Sequence, residues 1–274
     1  MEKLYYELSS AAADQLGLVT RAQAIRLGAD TAILERLTAA RLLTELDNEV
    51  FQLPSSATAP RFAYPYAAWL ALAPELFRWQ RPQLPTQDAV LSHESAARLH
   101  GLGVTARART VFTAPQTYTT PDAVVVHVDV LAPDEVTVLG GVPVTTPQRT
   151  VLDLLGGDVD EDDASRVLAD AVRRDLVDLG EIHRAVAARL PAPDAPAGGT
   201  EFLDQLLPDL VPSALSARNL RAYAELTAPE TVAAVQARIT AALSDFEVPD
   251  GEALHHDVAA QIVGRRARPG QRSR

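Results

Sequence analysis

The first 54 residues carry three amphipathic helix signals in succession and then a hairpin signal, and that order narrows what the N-terminus can build. The first helix is expected to end at Leu16-Gly17, because glycine accepts the left-handed conformation that closes a helix. Leu18-Val19-Thr20 leads into a second helix, with Thr20 placed to cap Arg21 through Leu27. Gly28 closes it, and Asp30 or Thr31 caps a third helix over about 32–40. Residues 42–46 and 50–53 then flank Asp47-Asn48-Glu49 as two strands around a turn. Helix, short helix, turn, helix, hairpin is the order of a winged helix-turn-helix.

In the third helix Ile33, Leu34 and Leu37 form an apolar face, which leaves Thr31, Ala32, Glu35, Arg36 and Thr38 outward. A recognition helix offers its N-terminal residues to base edges. There Arg36 can read guanine, Glu35 can accept from cytosine, and Thr31 can touch phosphate. Thr20, Arg21 and Arg41 complete the expected DNA-binding set. The same pattern also describes an ordinary solvated helix face. The region holds five basic residues (Lys3, Arg21, Arg26, Arg36, Arg41) against eight acidic ones. Its wing, Thr44-Glu45-Leu46-Asp47-Asn48-Glu49-Val50, is acidic and therefore a poor clamp for phosphates.

Beyond Pro54 strands and helices mix, so the expected class is α+β. The spacing of Tyr66, Trp69, Leu70 and Ala73 predicts a helix over 65–76. Ala89-Val90-Leu91, residues 110–113, 124–128 and 142–144 read as strands. Ser92 is placed to cap a helix running to His100, and Thr146 to cap one whose first residue is Pro147. Residues 158–190 read as two helices with an acidic start at Asp158, Asp160, Glu161, Asp162 and Asp163. The expected divisions are a winged helix over 1–54, an α+β domain over 55–190 and a proline- and glycine-rich linker over 191–199. A proline-interrupted helical region over 200–263 and a disordered basic tail over 264–274 complete the chain.

The chain has 274 residues, is 47% apolar and has a formal net charge of −11, which argues against a general nucleic-acid coat but not against a small DNA-reading module. It contains no cysteine, which excludes disulfide frameworks, zinc fingers and thiol nucleophiles. With no apolar run near membrane-spanning length and no basic, apolar leader, the expected location is the cytoplasm. His93 and His100 lie two helical turns apart, about 10 Å along the axis, too far for one metal ion. His255-His256-Asp257 point in divergent directions around a helix. Arg149 and Asp153 have the i, i+4 spacing of a stabilising pair, with Arg149 as an anchor. No phosphate-cradling loop, nucleophile elbow or HExxH motif is present, so no enzymatic activity, cofactor or metal is expected.

Three segments together resemble the AbiEi family of antitoxins from type IV toxin–antitoxin, or abortive infection, systems. They are Leu16-Gly17-Leu18-Val19-Thr20-Arg21-Ala22-Gln23-Ala24 with its hairpin; Leu91-Ser92-His93-Glu94-Ser95-Ala96-Ala97-Arg98-Leu99-His100-Gly101-Leu102; and Gly140-Gly141-Val142-Pro143-Val144-Thr145-Thr146-Pro147-Gln148-Arg149-Thr150-Val151-Leu152-Asp153-Leu154. The likeness covers about 16–190. It implies a winged helix bound to the operon's own promoter and a middle region opposing a nucleotidyltransferase-like toxin. Ser92, His93, Glu94, Arg98, Thr146, Arg149 and Asp153 are then structural residues of the antitoxin region or contacts for the toxin. The alternatives are a stand-alone winged-helix transcription regulator and a nuclease-like enzyme. The latter requires clustered carboxylates with a lysine, and Lys3 is the only lysine.

Overall fold

Where the sequence predicts one hairpin, the N-terminus holds three strands. In the computed structural model, residues 2–54, 56, 58–103, 109–157, 159–189, 198–244 and 249–267 are described. The chain begins α1 (Glu2–Ala13), β1 (Leu18–Thr20), α2 (Arg21–Arg26), α3 (Thr31–Ala39), β2 (Thr44–Glu45) and β3 (Val50–Gln52). The three strands form an antiparallel sheet in the order β1-β3-β2, with Leu18 opposite Gln52 and Thr44 on its other side. Leu18-Val19-Thr20 is therefore a buried strand rather than a lead-in. Its pairing partner lies some thirty residues on, outside the reach of local pattern.

Capping matches the sequence closely here. Thr20 Oγ1 accepts from Gln23 N at 3.0 Å while Gln23 Oε1 accepts from Thr20 N at 3.0 Å, a reciprocal capping box. Asp30 caps α3 by accepting from Ile33 N at 2.7 Å. Helix α1 stops at Ala13, earlier than expected, and Leu16 and Gly17 both take left-handed φ, 57° and 78°. A Cβ on Gly17 would sit 2.2 Å from the Ser56 Cβ, so the close approach excludes a side chain there.

A second sheet has five strands in the order β6-β5-β4-β8-β7: β4 (Val90–Leu91), β5 (Thr110–Ala114), β6 (Val124–Val128), β7 (Val136–Leu139) and β8 (Val142–Thr145). β4 pairs parallel with β8 and antiparallel with β5, which pairs parallel with β6. Gly140 and Gly141, at φ 56° and 86°, make the two-residue turn between antiparallel β7 and β8. The edge strand β7 is not among the strands expected from the sequence.

Helix α4 spans Pro60–Ala71, not 65–76. Pro60 takes the first helical position, where its missing N–H costs nothing, and Pro65 is carried inside. The helix ends before Pro74, whose ring disfavours helical backbone at Ala73. Tyr66, Trp69 and Leu70 of α4 pack with Leu91, Phe112, Val142 and Val144 of the sheet. Leu18 and Val50 of the N-terminal strands belong to the same core.

The described residues fall into two compact units, one drawn from Met1–Gly101 and Thr105–Thr146, the other from Leu102–Val104 and Pro147–Arg274. The first unit also contains α5 (His93–Leu99). The second unit is helical: α6 (Pro147–Leu155), α7 (Glu161–Arg173), α8 (Leu179–Arg189), α9 (Gly199–Leu206), α10 (Ala217–Thr227), α11 (Pro229–Ala242) and α12 (Gly251–Arg266). As the charge pattern predicts, Asp160 caps α7, with Glu161, Asp162 and Asp163 in its first turn. Buried Asn219 knots the helices together: its Oδ1 accepts from Leu179 N at 2.9 Å and its Nδ2 donates to Val177 O at 3.0 Å.

Two boundaries move. The expected linker over 191–199 ends within α9, because Gly199 is already helical and lies too close to Leu226 for a side chain. Residues 190–197 lie outside the described residues. The expected basic tail does not start at 264, since α12 carries Gly264, Arg265 and Arg266; residues 268–274 lie outside the described residues.

Within the first unit, α1 and α2 are joined to the segment after α4 by two fully buried glutamines. Gln23 Nε2 donates to Leu76 O at 2.7 Å, Gln15 Oε1 accepts from Arg78 N at 2.8 Å, and Gln15 Nε2 donates to Gln23 Oε1 at 3.0 Å. Gln23→Ala strands several of these groups without water. It is expected to cost about 2–4 kcal/mol of stability by urea denaturation, from a typical penalty of about 1–3 kcal/mol per buried unpaired group.

Candidate nucleic-acid interface

Helix α3 buries Leu34 and Leu37 against the N-terminal core and partly buries Ile33, so Thr31, Ala32, Glu35 and Arg36 are exposed together on its outer face. Arg36 Nε donates to Ala32 O at 3.3 Å, which lays its side chain along the helix. Arg41 lies two residues beyond α3, exposed, at a left-handed φ of 58°. Among the described residues Arg36 and Arg41 form no ion pair, whereas Lys3 pairs with Glu7 at 3.9 Å.

Thr20 and Arg21 are not brought to that face as readers. Thr20 is buried; besides capping α2 it donates to Pro74 O at 2.6 Å. Arg21 is clamped by the turn between β2 and β3: its Nε lies 2.9 Å from Glu49 Oε1, and a terminal nitrogen lies 3.8 Å from Glu45 Oε1. Its guanidinium also lies over the Phe51 ring, 5.6 Å from the centroid. Arg26 is likewise engaged, donating to Glu75 O and to Gln80 Oε1 and lying over Phe77. The turn therefore presents carboxylates to solvent at Glu45, Asp47 and Glu49, and Arg21 beside it is already paired.

The middle-region residues form a different arrangement. Ser92 stands at the N-cap of α5, but its hydroxyl meets His93 Nδ1 at 2.9 Å instead of capping the helix. His93 has φ 51°, and its ring stacks on His127 of β6 with centroids 4.2 Å apart. No local pattern could find that contact, because the partners lie 34 positions apart in sequence. Glu94 is buried, and Arg98 is exposed in a cleft of about 340 Å³ that Arg61, Tyr64 and Thr110 also line. His100 Nε2 lies 2.7 Å from Thr145 O, and Thr146 N donates to Glu135 O at 2.8 Å. In the second unit, Arg149 Nε donates to Asp153 Oδ1 at 2.6 Å, both side chains buried, as the i, i+4 spacing predicts. Helix α12 holds His255 buried against Thr240, and His256 reaches Gln236 and Glu225. Among the described residues no group of three or more His, Asp or Glu is placed to hold a metal ion. Among them, too, no helix is long and apolar enough to cross a membrane.

The most strongly built polar cluster is one that sequence reasoning missed. Arg81 donates twice to Asp88, at 2.8 and 2.7 Å, and once to Trp69 O at 2.6 Å, with its guanidinium 3.5 Å from the Trp69 ring centroid. Asp88 also accepts from Ala89 N and from the Tyr118 hydroxyl. Burial pushes the Tyr66 hydroxyl up to about 12 and raises that of Tyr118, so both phenols stay protonated. The cluster is closed in by Trp69 and is a core tie rather than an open site. Its only sequence signal is a pair of opposite charges across a proline-rich loop, which carries no periodicity.

No family model matches the chain, and no curated protein matches it. Among solved structures it is similar to the crystal structure of the RV2827C protein from Mycobacterium tuberculosis, at 14% identity and a TM-score of 0.38, over 80% of this chain and 74% of that one. A likeness so distant leaves the functional reading to the residues themselves.

The two arginine environments lead to opposite expectations for stability. Arg81→Ala leaves Asp88 buried without its partner and is expected to cost about 3–5 kcal/mol. Arg36→Ala removes an exposed side chain and is expected to change stability by less than about 0.5 kcal/mol. Urea denaturation of both variants checks the contrast.

Proposed function

We propose that this protein is an AbiEi-like antitoxin whose N-terminal elements form a winged helix-turn-helix that binds its own promoter, with the region beyond them opposing a nucleotidyltransferase-like toxin. The observation that carries the DNA-reading half is the outer face of α3. Thr31, Glu35 and Arg36 stand exposed together on a helix whose other face is packed into a three-helix, three-stranded fold in the order β1-β3-β2. On this reading α2 and α3 are the helix-turn-helix and β2-β3 the wing. Arg36 reads a guanine edge, Glu35 accepts from cytosine, and Thr31 and Arg41 meet phosphates. The wing contributes little, because its carboxylates face outward and Arg21 is held by two of them. Arg268, Arg272 and Arg274 add a non-specific attraction. The antitoxin half rests on the three sequence segments that resemble the family.

Promoter binding by the full-length protein is measured by fluorescence anisotropy across a salt titration. Arg36→Ala is expected to cost about 1–3 kcal/mol and to relax preference at one base position. Glu45→Gln combined with Glu49→Gln removes wing charge and releases Arg21, so affinity is expected to rise. Deleting 268–274 is expected to flatten the slope of log affinity against log salt by about 2, at about 0.9 per phosphate. Absence of promoter binding at any salt removes the repressor half of the proposal. The antitoxin half is tested by coexpression with the protein encoded beside it, where full-length chain is expected to restore growth. Promoter binding without growth rescue leaves the stand-alone regulator.

A further inference from the structure

Helix α12 is packed the wrong way round for a helix that ends in solvent. Its buried residues are His255, Ala259, Ala260 and Gly264, mostly small. Of its four large aliphatic residues only Val263 packs against the core, whereas Leu254, Val258 and Ile262 are 50%, 39% and 38% exposed. The small side lets the helix approach α10 closely, since a Cβ on Gly264 would lie 2.8 Å from Leu220 O. The flanks are tied down by Asp257 with Arg221 at 3.6 Å and His256 with Glu225 at 3.1 Å. The exposed row therefore stands on a fixed support. Its i, i+4, i+8 spacing makes one continuous apolar ridge.

We propose that this ridge is a self-association face, occupied by α12 of a second copy in antiparallel orientation. The helix is complementary to its own reverse. With a two-fold axis at Val258, Leu254 and Ile262 lie about 6 Å to either side, so each meets the other's counterpart. Glu252 lies about 9 Å before Val258 and Arg266 about 12 Å after it, and at about 100° per residue they fall on the same edge of the ridge. The axis therefore brings Glu252 of one copy beside Arg266 of the other. Neither residue forms an ion pair among the described residues. A parallel two-fold puts the two Glu252 residues on opposite edges, keeps the acidic starts together at one end and the arginines together at the other, and faces neither with an opposite charge, which selects the antiparallel form. A single helix pair buries less than the about 1,600 Å² of a standard interface, so the dimer is expected to dissociate at micromolar concentration.

Sedimentation velocity of the full chain, from low micromolar to several hundred micromolar, is expected to show a concentration-dependent monomer–dimer equilibrium. Val258→Glu sets two carboxylates against each other at the axis and is expected to give monomer throughout, with unchanged circular dichroism. Glu252→Arg and Arg266→Glu are each expected to weaken the dimer about tenfold, and the double variant to recover most of that loss. A merely structural role for either charge does not produce the recovery. A wild-type chain that stays monomeric overturns the proposal, as does a dimer that survives Val258→Glu or a double variant no better than the singles. A face occupied instead by a different protein overturns it too. That would show as a heterocomplex lost on Val258→Glu while the chain alone remains monomeric.

Discussion

Two buried glutamines hold the first unit together. Gln15 and Gln23 are fully withdrawn from water, so each donor and acceptor they carry must find a protein partner. They find them in each other and in the backbone after α4, and Thr20 adds a third bond to Pro74 O. The direction in which α2 and α3 present their outer faces is thus set by groups outside the three-helix, three-stranded part. Leu18 and Val50 reinforce this by packing into the core of the five-stranded sheet. What looks in sequence like a module ending at Pro54 is continuous in packing with α4 and that sheet.

The sequence carried the local part of this fold and little of the rest. Caps at Thr20 and Asp30, the inner face of α3, the strand at 124–128 and the Arg149–Asp153 pair all arise from spacings of four residues or fewer. Strand β1 was hidden because its hydrogen-bonding partner is distant in the chain. Helix α4 was displaced because Pro65 reads as a helix start, although Pro60 already occupied that role. Ser92 has the right residue type for a cap, yet its hydroxyl turns to His93. Of the candidate site, the exposure of Thr31, Glu35 and Arg36 was legible. The commitment of Thr20 and Arg21 to internal bonds was not, because it depends on Pro74, Glu45 and Glu49 arriving from elsewhere.

Charge is distributed just as sparingly. In a chain of net charge −11, Lys3 of the N-terminal region pairs with Glu7, and its arginines divide into two groups. Arg21 and Arg26 are engaged, while Arg36 and Arg41 face solvent. Helix α12 shows the complementary pattern, with acidic residues at its start, arginines at its end and an aliphatic ridge between.

The clamp on Arg21 bears on how any salt titration of DNA binding is read. An arginine that leaves solvent for a phosphate displaces condensed counterions, and that displacement is what the salt slope counts. Arg21 starts from a different state, because Glu49 and Glu45 already serve as its counterions. Moving it to a phosphate is an ion exchange: one bound anion replaces another, and the carboxylates left behind gather cations from solution. The ions freed at the DNA would be taken up at the turn between β2 and β3. On the proposed DNA-binding reading Arg21 would touch a phosphate and contribute almost nothing to the slope, so that the slope would undercount the phosphates contacted.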